Sequence, residues 1–279
     1  MILWSHFKLS HKGNLRITKT SQLKNLPNNT FIGNLPKMIN SKITFKGINN
    51  ILYCDQNVTL ENSRLHFEGS NSIIYLKNGH YKINVSVFND SVIHLGSNNY
   101  FNKVCQIICS EHKHIFIGNS NLFSTNIVFK NADPHLIYSI KTKNRINPTQ
   151  SIYVGDHVWI GQDCLLLKGA KIHSGSILGA GSVLTKEMAS NSIYAGVSAK
   201  CVKKDIFWQG ECVHTWTHEN TQKYESSNTN DFIYTDSPKE YISFEQIDEA
   251  LNGLDVQGKL KYLQVLNSSE KKNRFSKKN

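Results

Sequence analysis

The first 54 residues contain no aspartate or glutamate, no CxxC pair occurs, and nowhere in the 279 residues do about 18 apolar residues follow one another without interruption. A membrane-spanning helix needs about 18 or more such residues, so none is predicted. Apolar side chains near the start (Ile2, Leu3, Trp4, Phe7, Leu9) are interrupted by His6 and Lys8, and no secretion signal is expected. The six cysteines (Cys54, Cys105, Cys109, Cys164, Cys201, Cys212) show neither a metal-ligand spacing nor a small-domain disulfide framework. Reduced thiols and a cytoplasmic setting are the simplest expectation.

Cations fill the space left by the missing acids. Residues 1–54 carry eight lysines and arginines, and residues 268–279 carry five against Glu270. The stretch between them is nearly neutral although the net charge is +11. Basic ends suit an anionic glycan or peripheral association with the inner membrane surface, and equally suit solvating tails. Nucleic acid is not expected, because no aromatic-plus-basic recognition motif accompanies the charge.

Between Ile152 and Leu184 a large aliphatic residue returns at every sixth position: Val154, Ile160, Leu166, Ile172, Leu178, Leu184. Two residues earlier runs a second column, Ile152, Val158, Cys164, Ala170, Ser176, Ser182. Strand side chains alternate faces, so both columns point the same way. Each hexad is then a short strand with two inward side chains and a corner, and three hexads close one triangular coil. Corner residues such as Gly155, Gly161, Gly179 and Gly181 fit. The reading is an all-β parallel β-helix, whose hand the spacing leaves open.

Upstream the beat is fainter, at Leu95, Phe101, Ile107 and again at Ile117, Phe123, Phe129. A four-residue slip falls near Ser110–Lys113, and a longer excursion, 130–151, holds Asp133-Pro134-His135 and a basic tip. Runs between Lys42 and Asp90 suggest further irregular coils. The expected organisation is a basic segment over 1–41, a solenoid over 42–206 with protruding loop 130–151, and a partly helical extension over 207–279. In that extension Ser237-Pro238-Lys239-Glu240 reads as the cap and first turn of a helix running to about Leu251. A second helix is expected near Leu260–Leu266.

The segments Ile152-Tyr153-Val154-Gly155-Asp156-His157-Val158-Trp159-Ile160-Gly161, Ile177-Leu178-Gly179-Ala180-Gly181-Ser182-Val183-Leu184-Thr185-Lys186-Glu187 and Tyr194-Ala195-Gly196-Val197-Ser198-Ala199-Lys200 closely resemble the hexapeptide-repeat acetyltransferases. Within that family they are most similar to the sugar and capsular-polysaccharide O-acetyltransferases, including those acting on sialic acids. The resemblance covers roughly residues 129–205. It implies a left-handed parallel β-helix, a homotrimer, and acetyl-CoA in a groove between subunits, with no metal. His135 matches the catalytic histidine position, with Asp133 a candidate to orient it. Trp159 matches the tryptophan beside the donor groove. Gly161, Ala180, Thr185 and Lys186 match positions along the pantetheine arm, and Lys200 and Lys203 match basic positions near the nucleotide phosphates. The chain departs from relatives that have Asn-Pro-Ala and Arg, reading Val197-Ser198-Ala199-Lys200 instead, and lysine lacks the bidentate fork of arginine.

Acetyl transfer to an alcohol needs a base that removes the hydroxyl proton and donors that steady an oxyanion. Histidine, with an ordinary pKa of about 6.5, suits the first task. Alternation turns Trp159 outward, to a subunit contact or a ligand. Cys164 faces inward and reads as a core residue. Zinc on His114, His135, His157 and His173 would need three converging ligands, yet His157 and His173 are 16 residues apart rather than one 18-residue coil. Gly179-Ala180-Gly181 lacks the strand-helix context of a dinucleotide site. N-acetylation of an amino sugar, and a non-enzymatic trimeric glycan-binding scaffold, are the competing functions.

Overall fold

The structure, a computed structural model, describes residues 14–268 and 270–278; the expectations for Met1–His11 and for Lys8 and Lys12 lie outside them. The chain winds into a three-walled parallel solenoid. The first wall runs from Leu15–Ile17, which joins antiparallel, to Val183–Leu184, and the second from Thr30–Gly33 to Glu187–Met188. The third begins at Lys37–Ile39 and ends with Lys200–Lys203, folded back antiparallel on Ile193–Ala195. Both six-residue columns face inward: Val154, Ile160, Leu166, Ile172, Leu178 and Leu184 are all buried, as are Ile152, Val158, Cys164, Ala170, Ser176 and Ser182. Burying one such aliphatic side chain contributes roughly 1.5–3 kcal/mol.

The upstream coils are as regular as the downstream ones. Ile51, Ile73, Val92 and His114 occupy one register position in successive coils at uneven sequence spacing, whereas Tyr153 and Lys171 are one 18-residue coil apart. Longer corners absorb the difference. Asn28, Asn49, Asn71 and Asn98 adopt positive φ there, a conformation asparagine tolerates better than most residues. Some are laddered, with the Asn49 side-chain amide donating to Asn71 at 2.8 Å and that of Asn40 to Asn62 at 2.6 Å. Strand pairing also carries the solenoid into the segment expected to precede residue 42, since Thr30–Gly33 and Lys37–Ile39 both lie in its walls.

The three outer faces differ. On the second wall Tyr53, Tyr75, His94, Phe116 and Tyr153 stand in register. Rings stack along most of this column, and Phe244 continues it from Tyr153 at 5.0 Å. Helices α1 (His218–Lys223), α2 (Phe244–Asn252) and α3 (Val256–Ser268) follow the solenoid. Phe244, Ile247 and Leu251 of α2, and Val256, Leu260, Leu263 and Leu266 of α3, seal the aromatic column. The expected helix start at Ser237 is corrected by six residues. Ser243 caps α2, accepting from the Gln246 N–H while Gln246 closes the capping box, and Pro238–Glu240 form only a turn. Phe244 is the first side chain that reaches the aromatic column, so packing selects the later of two competent caps.

A clasp holds this cover in place. Arg274 is 1% exposed and grips Asp156 with two bonds of 2.7 and 2.8 Å. Glu270 joins the Arg274 cation and receives Lys77 at 2.6 Å, while Phe275 is buried among the covering aromatics. The basic segment after residue 268 is therefore not merely a solvating tail. No helix among the described residues is long and apolar enough to cross a membrane. Breaking a buried ion pair from one side strands the other charge. Arg274→Met should therefore lower unfolding stability by about 3–5 kcal/mol in urea titrations followed by circular dichroism, and adding Asp156→Asn, which removes the stranded charge and keeps an acceptor for the Asn119 N–H, should restore part of the loss.

Candidate active site

Loop 131–151 leaves the solenoid between Val128–Lys130 of the first wall and Ile152–Val154 of the second. It is braced from inside by Asn147, which is buried. The Asn147 amide donates to the His135 carbonyl at 2.8 Å and to Asp133 at 3.2 Å, and its side-chain oxygen accepts from the Ile137 N–H at 2.9 Å. Arg145 forks onto the Glu111 carboxylate, which also accepts from the Thr149 hydroxyl. The Arg145 hydrogen bond, seconded by Thr149, holds the Glu111 carboxyl down at about 2 against an ordinary 4.5.

These braces leave the His135 imidazole exposed, with no hydrogen-bond partner among the described residues. The expected orienting role of Asp133 is not what the structure shows. Its carboxylate is engaged by the Lys168 ammonium at 2.5 Å and by Asn147. Lys168 first, then Asn147, holds its pKa below the ordinary carboxylate range. A neighbouring cation is a stronger partner for a carboxylate than a neutral ring. Among the described residues the His135 main chain, rather than its ring, is held, through the Asn147 amide. Thr185 and Lys186 lie on the same first–second edge, both exposed.

The other expected residues gather elsewhere. Trp159 stands outward on the third wall, 39% exposed, between Leu122 and Ile177 in register. Its indole lies 6.0 Å from that of Trp208. Trp208 is pinned by His157: the rings stack at 4.0 Å, the indole N–H donates to the His157 carbonyl at 3.1 Å, and the imidazole Nε2 pairs with the Trp208 carbonyl at 3.0 Å. Gly161 and Ala180 form the third–first edge, where a Cβ on Gly161 would sit 2.6 Å from the Ala180 nitrogen. Lys200 and Lys203 lie exposed on the returning strand. The Cys164 thiol donates to the Gly179 carbonyl at 3.1 Å and is pushed up by burial, as a core residue's would be.

The four histidines weighed for zinc are dispersed: His114 is buried in the second wall, His157 stacks on Trp208, His173 pairs with Glu187 at 2.7 Å, and His135 stands on the loop. The structure thus brings the expected residues into two groups rather than one. His135, Thr185 and Lys186 share one edge; Trp159, Gly161, Ala180, Lys200 and Lys203 share the third wall and its edge with the first. The first wall separates them. Sequence reasoning missed Asn147, Lys168 and Trp208. Asn147-Pro148 carried a turn signal that could have marked the first, whereas the other two are joined to the site only by folding.

Residues 151–186 match the family model described as bacterial transferase hexapeptide (six repeats). The polysialic acid O-acetyltransferase of Escherichia coli O1:K1 / APEC is 28% identical over 101 residues, 36% of this chain and 33% of that protein. The galactoside O-acetyltransferase of Escherichia coli (strain K12) is 30% identical over 114 residues, 41% of this chain and 55% of that protein. The chain thus spans a third to about half the length of these two curated relatives. The crystal structure of the polySia specific acetyltransferase NeuO aligns with a TM-score of 0.61 at 24% identity, covering 71% of this chain and 93% of that one. The solenoid is a parallel β-helix, as the repeat leads one to expect, and left-handed, as the resemblance implies.

The loop braces carry a pH signature. A carboxyl held down in the fold adds stability that is present above its ordinary pKa and lost as pH falls through the folded value. Amide protection factors in residues 131–151, corrected for the intrinsic exchange rate at each pH, should therefore hold from pH 8 to 5 and fall only between 4.5 and about 2. Glu111→Gln should lower them at neutral pH.

Proposed function

We propose that this chain transfers acetyl from acetyl-CoA to a hydroxyl of a cell-surface carbohydrate, using His135 as general base in a groove completed by a second copy of the chain. The observation that carries the reading is the division of the site. One edge presents an exposed imidazole, without a hydrogen-bond partner among the described residues, on a braced loop, and the opposite wall presents an outward tryptophan, a glycine-lined corner and exposed lysines. A rotation laying one protomer's loop edge against the next protomer's third wall would join the halves, and repeating it closes a ring of three.

The exposed walls suit that assembly. Tyr100, Leu122, Trp159, Ile177 and Ile193 form an apolar outward column on the third wall, and Val128, Leu165 and Val183 form another on the first. Exposed Leu136, Ile137, Tyr138 and Ile140 on the loop add a further apolar contact.

In the reaction, one ring nitrogen of His135 takes the hydroxyl proton while the oxygen attacks the thioester carbonyl. The new C–O bond forms, the C–S bond breaks, and the proton passes from imidazolium to the leaving sulfur, releasing acetyl ester and CoA thiol. Gly161 and Ala180 leave room for the pantetheine arm along their edge, with Thr185 and Lys186 supplied from a loop edge. Lys200 and Lys203 face the nucleotide phosphates, and Trp159, propped by Trp208, flanks the donor. A backbone N–H in the groove faces the oxyanion.

Purified protein given labelled acetyl-CoA with sialylated and neutral oligosaccharides should yield O-acetylated sugar by mass spectrometry. His135→Ala should reduce kcat/KM roughly 10²–10⁴-fold with an unchanged melting curve, and light scattering should report three copies. Acetyl found only on nitrogen, or full turnover by His135→Ala, would overturn the reading.

A further inference from the structure

We infer that the N-terminal end of the first wall is a second carbohydrate-binding site, one that holds an acidic polysaccharide at a distance from the transfer groove. The acceptor role rests on the proposed acetyl transfer; the binding itself does not. A hollow of about 230 Å³ opens there, lined by Arg16, Lys42 and Arg64 with Thr18, Asn40 and Ser41. No carboxylate lines it, and none of the three cations is in an ion pair among the described residues. The sequence before Asp55 has no acid to bring to it.

Arg64 is preset for an anion. Its Nη1 donates to the Asn40 carbonyl at 2.6 Å and the Ser63 carbonyl at 2.9 Å, which fixes the guanidinium plane. Its remaining donors have no partner among the described residues, and a fixed fork loses little entropy on meeting a carboxylate. The hollow also offers the Thr18 hydroxyl and the Asn40 side-chain oxygen, groups that match sugar hydroxyls, and no aromatic platform for nucleobases. Neighbouring acids are already engaged: Glu68 by Lys46 at 2.5 Å and Glu61 by His80 at 2.6 Å. His66, outward in the next column of the same wall, lies below its ordinary pKa, chiefly through burial, and then, against Glu68, through Lys42, Lys46 and Arg64.

The outward column of the first wall explains why this end stays available. It reads Lys42, Arg64, Asn84, Gln106, Val128, Leu165, Val183 in register. The apolar half suits a subunit contact, and the cationic half does not. Four strand steps separate Arg64 from Leu165, about 19 Å at the usual spacing between neighbouring strands. A short acceptor cannot bridge that distance. A polymer can, and its tethered portion then meets the groove at raised effective concentration. Anchoring should thus favour long acidic acceptors over short ones.

Binding is measured without acetyl-CoA, on the full chain, with polysialic acid, neutral dextran and anionic phosphatidylglycerol vesicles as probes. Polysialic acid should bind, dextran should not, and added salt should weaken the complex. Arg16→Gln/Lys42→Gln removes charge without breaking a hydrogen bond in the fold, and should weaken polymer binding roughly 10-fold or more. Arg64→Gln should do the same, with its melting curve as a check on folding. In turnover, these variants should raise KM for the polymer and leave kcat and the rate on a short sialoside unchanged. Equal polymer binding by wild type and variants, or binding to vesicles alone, would overturn the inference. Polymer binding without any acetyl transfer would sustain it and remove the proposed activity instead.

Discussion

A single coil of this chain can bury neither its inward side chains nor its strand backbone groups; both are satisfied only by the coil stacked on it. Each wall is therefore a ladder between residues one coil apart, as where the Tyr153 N–H meets the Ala170 carbonyl and the Gly161 N–H meets that of Leu178. Register along the axis follows, and with it the alignment of every outward side chain into columns. Loop, cover and cationic hollow are all read out of that alignment. A one-residue slip in a strand would send its inward side chains outward.

The same constraint dictates where irregularity is allowed. An insertion inside a strand would break two ladders, whereas one at a corner breaks none. The long excursion 131–151 sits at such a corner, leaving and rejoining between strands that pair normally with their neighbours. Its exposed ring depends on an interior built from Asn147, Arg145 and Thr149 rather than on a dedicated partner for His135. Catalytic histidines commonly gain orientation from a hydrogen bond to the second ring nitrogen; among the described residues the His135 ring has none, and only its main chain is held.

Coverage of the second wall divides the surface into distinct roles. Aromatic rings stacked along that wall would be an exposed patch without α2, α3 and Phe275. Arg274 and Asp156 hold the cover down through one desolvated pair, so solenoid and extension share a single core boundary. The first and third walls keep outward apolar columns toward the later coils, and the first turns cationic toward the earlier ones. Polarity thus changes along the axis while the backbone repeats.

Much was legible before folding, because a six-residue beat leaves a direct trace in sequence. Val154 through Leu184 declare an inward column, and the outward phase of Trp159 follows from alternation alone. The upstream coils were harder to read, since corner asparagines in left-handed conformations lengthen each turn without disturbing the stack. A strong cap signal at Ser237 misled, because a cap permits a helix and only the aromatic column could choose which cap to use. Sequence by itself determined the repeat, the inward columns and the chemistry-bearing residue types. Tertiary structure alone decided that Asp133 belongs to Lys168, that Trp208 props Trp159, and that the candidate residues fall on two edges. Those are contacts between segments far apart in the chain, and strand periodicity describes only neighbours.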